Sequence, residues 1–252
     1  MSEYQYFEFQ ALGRPLTKEQ MAELRAVSSR ARITSCSFIN EYNWGDFKGD
    51  PEKLMTKYFD IFLYITNWGT RRLMLRFPAN LVDQKIMGLY ECADSFSFKQ
   101  REKFVILSFC AEEETPDWAE GEGWLARLIP IRSDLLRGDC RVLYLAWLLG
   151  AQSGELEDDQ FEPPVPPGLR NLSSSLESFA EFCWIDSDLI AAAAENSPDD
   201  QVTDLSEKDF EKWLKKRTPT EKDRLLLTFI KGENMNLASQ VTAFLRGCNP
   251  KL

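Results

Sequence analysis

The stretch YQYFEF, residues 4–9, places Phe7 and Phe9 on one face of an extended chain. This two-residue period is typical of a β-strand. Helix signals separate the predicted strands, so the sequence predicts an α+β fold with a small mixed sheet of about four strands packed by helices. Three further stretches are predicted as strands, at residues 33–42, 72–77 and 104–110.

Two helix starts lie between the predicted strands. Thr17 and Gln20 have the spacing of a capping box. Asp50 and Pro51 form a typical N-cap followed by a proline at the first helical position. Apolar side chains at helical spacing continue from there to Ile65, so we predict one long helix buried on more than one face.

Strand signals end after residue 110. Residues 112–123 are acidic and loop-like, and residues 142–149 predict a helix that completes a first core. Residues 154–170, GELEDDQFEPPVPPGLR, contain five acidic residues and four prolines, which oppose helix continuation. We therefore predict three parts. They are an α+β domain at 1–153, an acidic proline-rich connector at 154–170 and a helical region at 171–252.

The 252-residue chain contains no histidine, which removes the usual general base and the commonest metal ligand. Its six cysteines form no CxxC motif and no zinc-ligand spacing, so we expect free thiols and no metal or cofactor. The N-terminal residues lack the features of a secretion signal. The longest apolar run, residues 142–149, is too short to span a bilayer. We expect a cytoplasmic, non-enzymatic protein with no membrane partner.

The formal net charge of −10 is unevenly distributed along the chain. Residues 111–205 hold five basic and 21 acidic residues, so this segment carries more than the whole negative excess. Such a surface attracts basic partners and repels nucleic acid, although an acidic segment is also explained by solubility alone. The predicted docking residues within this segment are Glu155, Glu157, Asp158 and Asp159.

Two clusters of aromatic residues and glycines have the composition of interface anchors. NEYNWGDFKGDP spans residues 40–51, and NWGTRRLMLRFP spans residues 67–78. The alternative is that both tryptophans only cover the ends of the sheet. The candidate partner-binding residues in these clusters are Trp44, Asp46, Phe47, Trp68 and Arg72.

Catalytic motifs are weak in this sequence. Neither glycine pattern that cradles phosphates is present, and no histidine is available to activate a cysteine. Glu112, Glu113, Glu114 and Asp117 offer carboxylates for glycoside chemistry, but adjacent glutamates in a loop carry no geometric signature. We predict no catalytic residues.

Several of these stretches resemble a family of uncharacterised bacterial proteins. The resemblance rests on YQYFEF, on RPLT at residues 14–17, on the two aromatic clusters and on EPPVPPGL at residues 162–169. The chain is also similar to the N-terminal part of the substrate protein of the type III-E CRISPR-associated protease system. That resemblance implies an antiviral defence regulator that inhibits a sigma factor until the protease cuts it, and it transfers no catalytic residue.

The sequence therefore favours a regulatory protein-binding module with a basic partner, and the resemblance adds a sigma factor and a protease as the partners. The alternative is a nucleic-acid-binding regulator that uses basic C-terminal helices. A third interpretation is an enzyme that uses carboxylates for catalysis. The basic residues of the C-terminal helices are Lys208, Lys212, Lys215, Lys216, Arg217, Lys222 and Arg224.

Overall fold

A seven-stranded sheet with helices on both faces forms the centre of the protein. The computed structural model describes residues 3–92, 94–116, 118, 120–157, 160–199, 211, 214–215 and 217–230. The strand order is β2-β3-β1-β4-β5-β7-β6, and neighbouring strands pair antiparallel. The strands are β1 (Gln5–Gln10), β2 (Arg32–Ile33), β3 (Ser37–Tyr42), β4 (Ile61–Thr66), β5 (Thr70–Pro78), β6 (Phe96–Arg101) and β7 (Phe104–Glu112).

Helices of three turns or fewer connect the early strands, and helices of 9 to 13 residues follow the sheet. The capping box predicted at Thr17 is present, and Asp50 accepts the backbone N–H of Lys53 at the start of the next helix. A 3₁₀-helix spans Ala79–Leu81. The α-helices are α1 (Lys18–Val27), α2 (Pro51–Lys57), α3 (Gln84–Gly88), α4 (Trp124–Leu136), α5 (Arg141–Gln152), α6 (Ser174–Phe182), α7 (Ser187–Glu195) and α8 (Pro219–Ile230).

The two faces of the sheet bury separate apolar cores. Face A, with Tyr6, Leu63 and Leu107, packs on α4 to α7 in the larger core. Face B, with Phe9 and Phe62, packs on α1 and α2 in a smaller core rich in aromatic rings. Because β4 lies in the middle of the sheet and is covered on both faces, its side chains are almost all buried.

The α+β class is confirmed, but the predicted mixed sheet of about four strands is a seven-stranded antiparallel sheet. The predicted long helix from Asp50 to Ile65 is wrong in its second half. Helix α2 ends at Lys57, and Asp60 already donates its backbone N–H to the carbonyl of Gln10 at 2.8 Å, which begins the β4 pairing. A fully buried strand lacks alternation, so its apolar run resembles a buried helix.

The predicted strand at residues 33–42 is two strands joined by a turn. The hydroxyl of Thr34 accepts the backbone N–H groups of Cys36 and Ser37, which reverses the chain between β2 and β3. Strand β6, at the far edge of the sheet, was not predicted because its second half is polar and exposed.

The predicted connector contains no helix or strand in its described part, residues 154–157 and 160–170. It is held against the first 153 residues, because Tyr90 donates to the Pro164 carbonyl at 2.9 Å and Tyr144 donates to Glu162 at 2.5 Å. Beyond it, the described elements are helices, and α6 and α7 contribute to the larger core. The division into two domains at this connector stays a prediction.

Candidate binding surface

Tyr4, which precedes β1, and Gln5, the first residue of β1, hold three loops together at one end of the sheet. Tyr4 donates its backbone N–H to Asn67 Oδ1 at 2.9 Å, and its hydroxyl accepts the backbone N–H of Gly121 at 3.1 Å. Gln5 donates from Nε2 to the Gly45 carbonyl at 3.2 Å. Loops that are far apart in sequence therefore meet where β1 begins, β3 and β4 end, and β7 ends.

Three exposed tryptophans occupy these loops, and we call them the tryptophan rim. Trp44 is 76% exposed, Trp68 is 46% exposed and Trp118 is 63% exposed. The Trp118 ring lies 5.0 Å from the Tyr4 ring, centroid to centroid. Tryptophan is enriched among the residues that anchor protein interfaces, so exposed tryptophans grouped at one end of a fold indicate a binding surface.

The turn that carries Trp68 is tied directly to the acidic segment after β7. Gly69 has a φ of +100°, a left-handed conformation that favours glycine. A Cβ at this position would lie 1.8 Å from the Glu113 carbonyl oxygen. The Glu113 backbone N–H donates to the Gly69 carbonyl at 3.1 Å. This close approach fixes residues 112–116 beside the tryptophan rim.

Carboxylates lie around Tyr4, which contacts Trp118 of the rim. Residues 112–122 contain six acidic residues and no lysine or arginine. The pKa of Tyr4 is raised, first by burial, while the hydrogen bond from Gly121 lowers it and the charges of Glu41, Glu120 and Glu122 raise it further. Those three carboxylates are exposed and lie within electrostatic range of the Tyr4 hydroxyl. The rim thus combines apolar rings with negative charge.

The candidate residues from the first aromatic cluster divide between the surface and the core. Asp46 is exposed and accepts the Gln5 side-chain amide at 3.2 Å, which orders the loop beside Trp44. Phe47 is half-buried, with its ring centroid 4.8 Å from that of Phe7. It therefore anchors the loop in the core of face B and leaves Trp44 as the accessible ring.

Arg72, the candidate from the second cluster, lies on face B of β5 and away from the tryptophan turn. It is half-buried, and its Nε donates to the Ser108 hydroxyl at 2.8 Å. Trp68 and Arg72 are therefore not parts of one contact surface in the way the linear cluster suggested.

The candidate residues of the connector do not act as one acidic patch in the described part of the chain. Glu155 is half-buried, and its carboxylate accepts the backbone N–H groups of Asp94 and Ser95 at 3.1 and 3.0 Å and the Ser95 hydroxyl at 2.5 Å. Glu157 is exposed. Asp158 and Asp159 lie outside the described residues. Glu155 thus stabilises the turn before β6.

Sequence reasoning missed Tyr4 and Trp118 as parts of this surface. Trp118 lies in residues 112–123, which the sequence predicts only as an acidic loop, and a tryptophan among glutamates is the local signal of a binding surface there. The position of Tyr4 depends on long-range contacts with residues 67 and 121, which no local pattern reveals.

The acidic segment offers little geometry for catalysis. Glu113 is half-buried, and its carboxylate accepts the Thr115 backbone N–H at 3.2 Å, a local turn contact. Within the described ranges, no group of three or more cysteine, aspartate or glutamate side chains is arranged to hold a metal ion. The same part of the chain contains no helix that is long and apolar enough to cross a membrane.

The predicted DNA-binding helices fall largely on residues that are not described. The helix expected after Ser206 lies outside the described residues for most of its length. The second one is α8, and the capping box predicted at its start is present, with Thr218 and Glu221 bonded to each other. The nucleic-acid alternative stays a prediction.

No protein-family model, no curated protein and no solved structure matches this chain.

Proposed function

We propose that this protein is a non-enzymatic regulatory module that binds a basic protein partner at the tryptophan rim. The observation that carries the proposal is that three exposed tryptophans lie in loops joined at one end of the sheet, with exposed carboxylates around Tyr4. Aromatic rings buried at the centre of an interface supply most of its binding energy, and the surrounding charges speed the approach of an oppositely charged partner.

The docking surface in this proposal differs from the one expected from the connector. Glu155 already serves the fold through three hydrogen bonds, and a carboxylate used in this way is a poor partner for an incoming cation. The glutamates near Tyr4 are exposed, so they remain available to steer a basic surface. The resemblance makes an extracytoplasmic-type sigma factor the first partner to test, with the processing protease as the second.

The test measures association and dissociation of the purified host sigma factor on the immobilised protein at low and physiological salt. We expect association to slow as salt rises, because the Debye length falls from about 30 Å at 0.01 M to about 8 Å at physiological ionic strength. Trp44→Ala or Trp68→Ala should raise the dissociation rate by about 30-fold if the ring is worth about 2 kcal/mol.

Two matched controls make the result specific. Phe161→Ala removes another exposed aromatic ring, in the connector, and should not change the dissociation rate. Glu157→Gln removes one exposed connector charge and should leave association unchanged, whereas Glu120→Gln, which removes one exposed charge beside Tyr4, should slow association. Equal association and dissociation rates for all these variants would rule out the tryptophan rim as the binding surface. A mobility shift of random duplex DNA by the protein would favour the nucleic-acid alternative.

A further inference from the structure

A groove lies between helix α7 and the loop that leads into α6. Its solvent-accessible volume is about 660 Å³, which is about twenty times the roughly 30 Å³ that one water molecule occupies in the liquid. The groove therefore has room for several large side chains. Its apolar lining consists of Leu169, Leu172, Ile190, Ala191 and Ala194.

The charged residues around this groove make it acidic. Arg170 is the basic residue of its lining, and that arginine pairs with Asp199 at 2.9 Å. Glu177 and Glu195 line the same groove and are exposed. Residues 169–199 as a whole contain six acidic residues and one basic residue. An apolar surface that carries basic side chains is therefore complementary to this groove.

Helix α8 has an apolar surface that lies in solvent. Leu226 is 58% exposed and Leu227 is 55% exposed. A helix of 12 residues is marginally stable in water unless its apolar side packs on another surface. Because its leucines are exposed, α8 does not occupy the groove of its own chain. The same chain thus has an open apolar groove and an exposed apolar helix.

The charge of the α8 segment is opposite to that of the groove. Residues 211–230 contain six basic and three acidic residues. Two of the three carboxylates are paired within the segment, Glu211 with Lys215 at 3.0 Å and Glu221 with Arg217 at 3.6 Å. Lys222 lies four residues before Leu226, so these two residues share one face of the helix. The helix is therefore apolar and basic where the groove is apolar and acidic.

We propose that the groove binds α8 of a second copy of this chain, and that the groove of the second copy binds α8 of the first. A two-fold dimer of this kind makes the contact twice. An amphipathic helix that lays its apolar face in a groove is a recurring mode of recognition. The groove shares no residue with the tryptophan rim, so the dimer neither requires nor excludes the partner proposed above.

Sedimentation velocity of the full chain at increasing protein concentration tests the proposal. We expect a dimer that dissociates on dilution and that weakens as salt rises. Leu226→Asp in α8 and Ala191→Glu in the groove both change exposed helical positions, so the fold should be retained. Each should raise the Kd of the dimer by about 100-fold or more, because each change alters both symmetric contacts.

Each variant has a matched control. Leu89→Asp changes a leucine of similar exposure, 54%, that follows α3. Ala192→Glu changes the next exposed alanine of α7, which does not line the groove. Both controls should leave the Kd of the dimer unchanged.

A mixture of the Leu226→Asp and Ala191→Glu chains distinguishes the exchange of helices from other dimers. In the mixed dimer, one contact joins an unchanged α8 to an unchanged groove, while the other contact carries both changes. We expect the mixed dimer to form at concentrations at which each variant alone is monomeric.

Three results would overturn the proposal: a wild-type chain that is monomeric at every concentration, a dimer that neither variant weakens, or the absence of the mixed dimer. A monomer whose thermal midpoint falls in Leu226→Asp but not in Leu89→Asp would instead assign α8 to the groove of its own chain.

Discussion

Replacement of Asp60 by alanine should destabilise this protein far more than replacement of any surface aspartate. Asp60 lies just before β4, and its Oδ1 pairs with Arg76 Nη2 at 2.8 Å while its Oδ2 accepts the backbone N–H groups of Leu12 and Gly13. The side chains of Asp60 and Arg76 are 12% and 7% exposed. Removal of Asp60 leaves the Arg76 charge buried and two backbone donors without their acceptor.

The loss expected from a broken buried ion pair is about 3–5 kcal/mol. For a chain of this length, that corresponds to a thermal midpoint lower by about 6–20 °C. Asp199→Ala is the matched control, because Asp199 is 91% exposed in its pair with Arg170. It should cost less than about 1 kcal/mol. Urea unfolding of both variants measures the difference, and equal free energies of unfolding would refute the reasoning.

The pH dependence of the same pair has a definite sign. Burial raises the pKa of Asp60, but the charges of Arg76 and Arg132 and the hydrogen bonds from Arg76 and Leu12 outweigh it, so the pKa lies below its ordinary value. A depressed folded-state pKa gives stability that is present above the unfolded value, near pH 4, and is lost as pH falls through the folded value. Wild type should therefore lose stability below about pH 4 more steeply than Asp60→Ala does.

Two further predictions concern other buried groups. Arg71 donates to the last carbonyls of α6 and lies 3.7 Å from the Trp184 ring centroid, so Arg71→Leu should cost about 3 kcal/mol and make residues 171–199 the first site of limited proteolysis. Unchanged cleavage within residues 171–199 would contradict this contribution of Arg71 to stability. Cys36 is exposed, whereas burial, and then the Glu155 charge, raises the pKa of Cys92 to about 12. Iodoacetamide at pH 8 should label Cys36 before Cys92 in the native protein, and all six thiols should react after denaturation without reductant. Comparable native rates at Cys36 and Cys92 in mass spectra would show that the burial argument is wrong.

The sequence was a good guide to elements that carry a local signal of alternation or capping, and a poor one to a strand that is apolar throughout. The alternation at residues 4–9 and the capping signals at Thr17 and Asp50 are local, and the structure confirms them. The stretch IFLYIT of β4 is apolar throughout because α-helical layers cover both sides of it. Only the β-branched and aromatic composition, rather than periodicity, indicated a strand there.

Individual residues of the candidate site could be predicted from the sequence, but their grouping in space could not. Both exposed tryptophans of the aromatic clusters were identified from turn-rich composition. Their grouping with Trp118 depends on Tyr4, whose hydrogen bonds reach residues 67 and 121. Arg72 and Trp68 are four residues apart, yet the strand directs Arg72 to a sheet face while Trp68 stays in the turn.

Several carboxylates of the acidic segment at residues 111–205 have structural partners. Glu155 is bonded to the backbone before β6, Asp139 pairs with Arg141 at 2.7 Å, and Glu162 accepts from Tyr144. These carboxylates hold segments of the fold together. The charge of Asp139 is cancelled by Arg141, whereas Glu155 and Glu162 are bonded to neutral groups, keep their charges and are fixed in place by the fold. Glu120 and Glu122 are exposed beside Tyr4 and remain free to act at a distance. A linear count of acidic residues therefore does not separate the carboxylates that hold the fold, such as Glu155, from those that are exposed beside the tryptophan rim. Salt dependence of partner association should accordingly follow the rim glutamates and not the connector.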